Sequence, residues 1–218
     1  MEQKNNVQYM LTELGHHLPY SIFSVVLAMM LVGFFSFMAT VMGNTGALAE
    51  GYQNLFHIFH PAHILFSTVT ATAMFWKYEK RVSKALLVGM GGSIVTCTLS
   101  DTLIPYWGGM LLGKTMSLHI CIIDEPMLII PFAIVGVLAG FLITESIERS
   151  TQYSHSLHIF VSSVASILYL VAFGLTDWVH MAGLVFLVTI IAVMIPCCAS
   201  DIIFPVLCSR KVACNHRH

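Results

Sequence analysis

Histidine, aspartate and cysteine recur in this chain at spacings that place their side chains on one face of a helix. His57, His60 and His63 follow one another at intervals of three residues, which spreads them over an arc of about 120°. Cys97 precedes Asp101 by about one helical turn, so these two side chains also share a face. Imidazole, carboxylate and thiolate together suit a borderline or soft divalent transition metal, whereas Ca²⁺ and Mg²⁺ prefer oxygen ligands alone. The spacing therefore predicts a transition-metal site.

A second concentration of potential ligands lies farther along the chain. His119, Asp124 and Glu125 stand within seven residues, together with Cys121. We expect His119 and the two carboxylates to join the metal site, and we treat Cys121 as incidental. Asp101 has no lysine or arginine in its own apolar segment, so a metal ion or a proton must balance its charge.

Both motifs occur again in the second half of the chain, and a third match precedes them. The repeated blocks are, in order, Pro19 to Phe34 with Pro126 to Phe141, His60-Pro-Ala-His63 with His155-Ser-Leu-His158, and Cys97 to Asp101 with Cys197 to Asp201. Three collinear matches predict two repeats, at about residues 16–106 and 123–207, within one transmembrane domain that covers residues 1–218.

The composition places these motifs in a bilayer. Hydrophobic side chains make up 57% of the 218 residues and charged ones only 10%, with a mean hydropathy of +0.82, which leaves too little polar surface for a water-soluble globule. The net charge of -1 provides no basic surface for nucleic acid. Six apolar runs are long enough to cross a membrane, at residues 19–42, 59–76, 85–105, 126–147, 157–175 and 181–207. We expect an all-α, polytopic integral membrane protein with six transmembrane helices.

The charges of the loops orient these six helices. One side of the membrane receives Lys77, Lys80, Arg81, Lys84, Arg149, Arg210, Lys211 and Arg217, and the other side receives Lys114. By the positive-inside rule, both termini are cytoplasmic in a cell membrane. Because each repeat contains three spans, the two halves must be inverted relative to each other, which is an architecture of secondary transporters. The glycine-rich residues 106–113 are expected to form a short re-entrant segment or an interfacial loop.

The inverted 3+3 repeat predicts one group of ligands at each membrane face. The outer group, which we rank as the principal site, comprises His57, His60, His63, Cys97, Asp101, His119, Asp124 and Glu125. The cytoplasmic group comprises His155, His158, Cys197 and Asp201, with His16, His17 and Cys198 nearby.

These patterns favour a secondary transporter of a divalent transition-metal cation that works by alternating access of the two repeats. Zinc and iron are the leading ions, and manganese, nickel and cobalt are further candidates. The bilayer is the other expected partner, and the sequence leaves open whether the protein forms a homodimer. One alternative is an intramembrane zinc-dependent hydrolase, which needs a single asymmetric site. Another is a haem-binding electron carrier, which needs histidine pairs at similar depth, whereas the repeat predicts histidines at opposite faces.

Overall fold

The fold consists of helices throughout the part of the chain that the structure describes. This structure is a computed structural model that describes residues 6–143 and 147–198, with side chains at residues 18–77, 79–143 and 157–196. The helices are α1 (Asn6–Val41), α2 (Leu48–Tyr78), α3 (Val82–Leu111), the short α4 (Cys121–Asp124), α5 (Pro126–Leu142), α6 (Ile147–Ala172) and α7 (Ala182–Cys198). The predicted all-α fold is therefore confirmed for these residues.

In the described residues, each of the six predicted apolar runs falls mainly on one helix. Among the residues that the structure describes, three helices are long and apolar enough to cross a membrane, over Leu18–Val41, Thr45–Lys77 and Val82–Leu111. The apolar parts of α5, α6 and α7 are shorter. With 17 residues, α5 covers about 26 Å at 1.5 Å per residue, slightly less than a hydrocarbon core of about 30 Å. Membrane-compatible helices are confirmed, and the six-span topology stays a prediction.

Helix α2 begins well before the apolar run that predicts it. Its first residue is Leu48 rather than residue 59, because Glu50, Gln53 and Asn54 lower the local hydropathy without breaking the helix. Pro61 lies inside the helix. As a result, His57 belongs to the same continuous helix as the histidines that follow it.

Helix α3 is continuous but contains two π-helical stretches, Leu87–Gly92 and Leu99–Leu103. Asp101 lies in the second stretch, four residues before Pro105. Since proline has no N–H, the α-helical hydrogen bond to the Asp101 carbonyl cannot form, and a π-helical turn draws its bond from the fifth residue instead. The wider turn therefore accommodates the proline.

The expectation of a re-entrant segment or loop at residues 106–113 is wrong. Residues 106–111 continue α3, since Pro105 suits the first turn of the stretch Ile104–Leu111. The helix ends where Gly113 adopts a positive φ of 75°. Non-helical chain then leads from Lys114 to Ile120 and on to α4.

Helix α2 is the centre of the bundle. It packs extensively against α5 and α6, and α6 packs in turn against α1. The contact of α2 with α5 depends on two glycines four residues apart. A Cβ atom at Gly136 would lie 2.8 Å from the Leu65 carbonyl oxygen, and one at Gly140 would lie 2.8 Å from the Val69 carbonyl oxygen. Small residues at this spacing let helices in membranes approach closely.

Polar and apolar side chains are distributed in a way that suits a lipid environment. Fully buried positions include histidines, an aspartate and many hydroxyl side chains from α2, α3 and α6. The surface instead presents large apolar groups, among them Phe23, Met30 and Phe37 of α1 and Met127 and Leu142 of α5. An apolar surface of this extent is unusual for a protein in water and is typical of one in a membrane.

The close approach of α2 and α5 predicts opposite effects for two glycine substitutions. Gly140→Ala should lower the thermal unfolding midpoint in detergent, because its methyl group meets the α2 backbone and must push the helices apart. Gly51→Ala, in open space on α2, should raise the midpoint slightly through helix propensity. Equal midpoints for the two variants would contradict this packing.

Candidate metal centre

One cluster of potential ligands lies beside the N-terminal half of α2, partly open to the surroundings. His57 Nε2 and His119 Nε2 are 3.1 Å apart, and Cys121 Sγ is 3.5 Å from the same His119 nitrogen. Potential ligand atoms of these three residues all lie within 4.8 Å of one another. Glu125 Oε1 stands 3.9 Å from His57 Nε2. We name these residues, with Asp124, the open cluster.

The distances in the open cluster match those around a tetrahedral ion. With Zn–N bonds of about 2.05 Å and Zn–S bonds of about 2.3 Å, two nitrogens lie about 3.3 Å apart and a nitrogen and a sulfur about 3.6 Å apart. The observed separations are 3.1 Å and 3.5 Å. His57, His119 and Cys121 can therefore hold a metal ion with little rearrangement.

Asp124 orients His119 for this role. Its Oδ2 atom lies 3.0 Å from His119 Nδ1 and also accepts the Ile120 N–H at 2.8 Å. Because a carboxylate oxygen accepts, Nδ1 must carry the imidazole proton, and the lone pair then lies on Nε2, which faces His57 and Cys121. A carboxylate behind a ligand histidine is the usual arrangement in metal sites.

Helix α6 holds the segment before α4 in place. Tyr169 accepts the backbone N–H of His119 at 3.2 Å and donates its hydroxyl to the Ser117 carbonyl at 3.1 Å. The Phe173 ring stacks on the His119 ring, with the centroids 5.1 Å apart. A non-helical segment thus carries a ligand whose position is fixed by its neighbours.

The Cys121 thiol needs a cation to ionise. Burial, together with the charges of Glu125, Asp101 and Asp124, raises the pKa of this thiol to about 12. At neutral pH the sulfur keeps its proton, and an ion that binds through sulfur must displace it.

A second cluster lies deeper in the bundle, around Asp101. Asp101 Oδ2 is 2.9 Å from His60 Nδ1 and 2.7 Å from His63 Nδ1. On its far side, His63 Nε2 lies 3.1 Å from His158 Nε2 and 3.7 Å from Cys97 Sγ. Asp101 and these histidines are at most 1% exposed. We name these five residues the buried cluster.

The other carboxylate oxygen of Asp101 is held by hydroxyl groups. Ser100 donates to Oδ1 at 2.6 Å and Ser162 donates to the same atom at 3.0 Å. Ser166 donates to the Ser100 carbonyl at 3.1 Å, which ties α6 to the π-helical stretch of α3. Asp101 therefore connects α2, α3 and α6 through hydrogen bonds to both of its oxygens.

The eight residues predicted as one outer group form two clusters instead. His57, His119, Asp124 and Glu125 belong to the open cluster, whereas His60, His63, Cys97 and Asp101 belong to the buried cluster. The reason is the helical rise: from His57 to His63 it carries the ligands about 9 Å along α2.

The assignment of His158 to a separate cytoplasmic group is wrong, because its ring touches that of His63. The two histidines lie on helices that cross deep in the bundle rather than at its opposite ends. The side chains of His155 and Cys197 and the whole of Asp201 lie outside the described residues, so their part in a site stays a prediction.

Three contributors were missed by reasoning from the sequence. Cys121 was treated as incidental, although its position two residues from His119 was the available signal. Ser162 was not predicted as a site residue, and nothing in its spacing shows that it reaches Asp101. Tyr169 had no signal, since its contacts join segments that are about 50 residues apart.

Comparisons of the chain with protein-family models, with curated proteins and with solved structures found no match. The functional argument therefore depends on the geometry of the two clusters.

The four hydrogen bonds of Asp101 predict a strong effect on stability. Asp101→Ala in metal-free protein should lower the free energy of unfolding by about 3 kcal/mol or more, since it leaves two imidazoles and two hydroxyls buried without their acceptor. Thermal or denaturant unfolding in detergent measures this. The matched control is Asp177→Ala, which removes an exposed aspartate that also pairs with a histidine, His180, and should change little. Equal midpoints for both variants would show that Asp101 does not organise the bundle.

Proposed function

We propose that this protein is an integral membrane secondary transporter of a divalent transition-metal cation, with zinc or iron as the first candidates. The observation that carries the proposal is the convergence of His57, His119 and Cys121, at ligand distances, on a bundle whose surface is apolar. In this proposal, the open cluster captures the ion from one side of the membrane. Two imidazoles and a thiolate select a transition metal over Ca²⁺ or Mg²⁺.

Helix packing supports a six-span architecture made of two inverted repeats. In such a repeat α2 and α6 are equivalent, and so are α1 and α5. The packing of α2 on α5 then has its counterpart in the packing of α6 on α1, and both kinds of contact occur. His63 and His158 are equivalent residues, and they touch. Equivalent residues meet where a two-fold axis passes, and transporters with inverted repeats hold their cargo near this axis.

The orientation follows from the loop charges. Lys77, Lys80, Arg81 and Lys84 are placed on the cytoplasmic side with both termini, and the open cluster then faces the opposite side of a cell membrane. Protons suit the role of counter-ion, since a metal that binds thiol and imidazole displaces them.

A metal-dependent hydrolase is the second candidate, and the position of Glu125 favours it. Its carboxylate is 44% exposed and lies 3.9 Å from His57 Nε2, where a general base could activate a metal-bound water. A haem carrier is disfavoured, because the paired nitrogens of His57 and His119 and of His63 and His158 are each 3.1 Å apart. That separation leaves no room for a porphyrin between two axial ligands.

Transport is tested with purified protein in liposomes that contain a zinc-sensitive dye. With the wild-type chain, an inward zinc gradient should increase the dye signal inside the liposomes. His119→Ala should lower the initial rate of zinc entry at least tenfold at low zinc, because it removes the nitrogen that faces both His57 and Cys121. His180→Ala, which removes an exposed histidine paired with Asp177, is the matched control and should keep the wild-type rate. Equal rates for wild-type, His119→Ala and empty liposomes would contradict transport of zinc, and the same assay is repeated with Fe²⁺.

The same preparations separate the two candidate functions. A hydrolase would bind zinc at the open cluster and carry no flux, and Glu125→Gln would abolish its activity on a lipid or peptide substrate while it left zinc bound. A transporter should keep flux in Glu125→Gln, although with weaker capture of the ion.

A further inference from the structure

We propose a second, buried binding site for a divalent transition-metal ion, with His63 Nε2, His158 Nε2 and Cys97 Sγ as ligands. The inference deepens the proposed function and rests on it for the identity of the ion. As a binding site, however, it stands or fails independently of flux.

Two ligand distances, both measured from His63, support this site. His63 Nε2 is 3.1 Å from His158 Nε2 and 3.7 Å from Cys97 Sγ. Around a tetrahedral zinc ion the corresponding separations are about 3.3 Å and 3.6 Å. An ion bound by all three ligands requires the side chains of His158 and Cys97 to turn toward each other around His63 Nε2.

The two clusters share one arrangement of contacts around a central histidine. In each, a carboxylate oxygen bonds Nδ1 of a central histidine, at 2.7 Å for Asp101 on His63 and at 3.0 Å for Asp124 on His119. In each, Nε2 of that histidine faces a second imidazole nitrogen at 3.1 Å and a cysteine sulfur. The segments that supply these groups differ, so the likeness does not follow from the repeat in the sequence. It is the arrangement expected when the same kind of ion is bound twice.

Asp101 gives His63 the protonation state that a ligand requires. Since the carboxylate accepts at Nδ1, that nitrogen carries the proton, and the lone pair of His63 lies on Nε2. This lone pair points to His158 and Cys97 rather than to solvent, because all three side chains are buried. A bare imidazole nitrogen beside a thiol in a dry interior is a strong site for zinc or iron.

The charge of the buried cluster also calls for a cation. Asp101 is fully buried, and the groups bonded to it in the described part of the chain are imidazoles and hydroxyls, with no lysine or arginine among them. Burying a carboxylate without a positive charge nearby is costly. A divalent ion bound to His63 Nε2, on the side of the ring opposite Asp101, would provide this positive charge.

Helix α2 links the two sites. His57 serves the open cluster, His63 serves the buried one, and His60 lies between them with its ring stacked on Phe56 at a centroid distance of 5.2 Å. His57 and His63 are about 9 Å apart along the helix axis. The buried site also joins the repeats, since His63 and Cys97 come from the first and His158 comes from the second. It therefore lies where a change in the packing of α6 against α2 and α3 would alter its coordination.

The experiment counts metal ions in purified protein. Detergent-solubilised protein is stripped with a chelator, loaded with zinc, freed of excess metal and analysed for metal per chain. Wild-type protein and the control His180→Ala should bind two ions. His119→Ala and His158→Ala should each bind one, and the double variant should bind none. Wild-type protein with a single ion that His119→Ala loses and His158→Ala keeps would overturn the inference.

A conservative variant covers the case in which His158→Ala does not fold. Cys97→Ser changes one buried atom, and its folding is checked by its unfolding midpoint. In cobalt-loaded protein, the absorption from thiolate bound to cobalt should fall by about half in Cys97→Ser and by about half in Cys121→Ser, because each site supplies one sulfur. Full absorption in Cys97→Ser would overturn the buried site.

These outcomes are distinct from a failure of the proposed function. Two bound ions without flux in liposomes would contradict transport and leave the buried site in place. Flux with a single bound ion that His119→Ala loses and His158→Ala keeps would contradict the buried site and leave transport in place.

Discussion

The structure depends on how a single buried carboxylate is satisfied. Asp101 lies in an apolar bundle, bonded through one oxygen to two imidazoles of α2 and through the other to a hydroxyl of α3 and one of α6. These bonds join three helices, and they determine which ring nitrogen of His63 is unprotonated. Asp101 also lies in the π-helical turn before Pro105. Because Pro105 has no N–H, the α-helical hydrogen-bond pattern cannot continue at this position. The structural network around Asp101 and the proposed buried metal site thus share the same residues.

The two clusters differ mainly in exposure, and this difference favours a separate role for each of them in the proposed transport. The histidines of the open cluster are 18% and 24% exposed at their side chains, whereas those of the buried cluster are at most 1% exposed. In the proposed transporter, the open cluster would bind a partly hydrated ion, and the buried cluster would bind a dehydrated one. Aromatic rings fill the space between them: Phe56 packs against His60, Tyr169 and Phe173. In the proposed transporter, capture and dehydration are therefore separate steps along one helix.

The helices were predictable from the sequence because apolar length is a local property, and the described part of each of the six apolar runs lies mainly on one helix. The ligand types were also predictable, since His57, His60 and His63 share a face by spacing alone. The division into two clusters was not, because it depends on which side chains of α3, α4 and α6 reach α2. The contact of His63 with His158 joins residues 95 positions apart and requires the crossing of two helices to be known. Cys121 was passed over although it lies two residues from His119, whose ring nitrogen it contacts.

The central claim is that the converging histidine and cysteine side chains are ligands of a transition metal. Anomalous diffraction from crystals of the zinc-loaded protein, recorded on both sides of the zinc absorption edge, tests this claim most directly. The account predicts an anomalous peak within about 2.0–2.3 Å of His57 Nε2, His119 Nε2 and Cys121 Sγ. Zinc-loaded crystals with no peak at these atoms, or with peaks only at surface carboxylates, would contradict it.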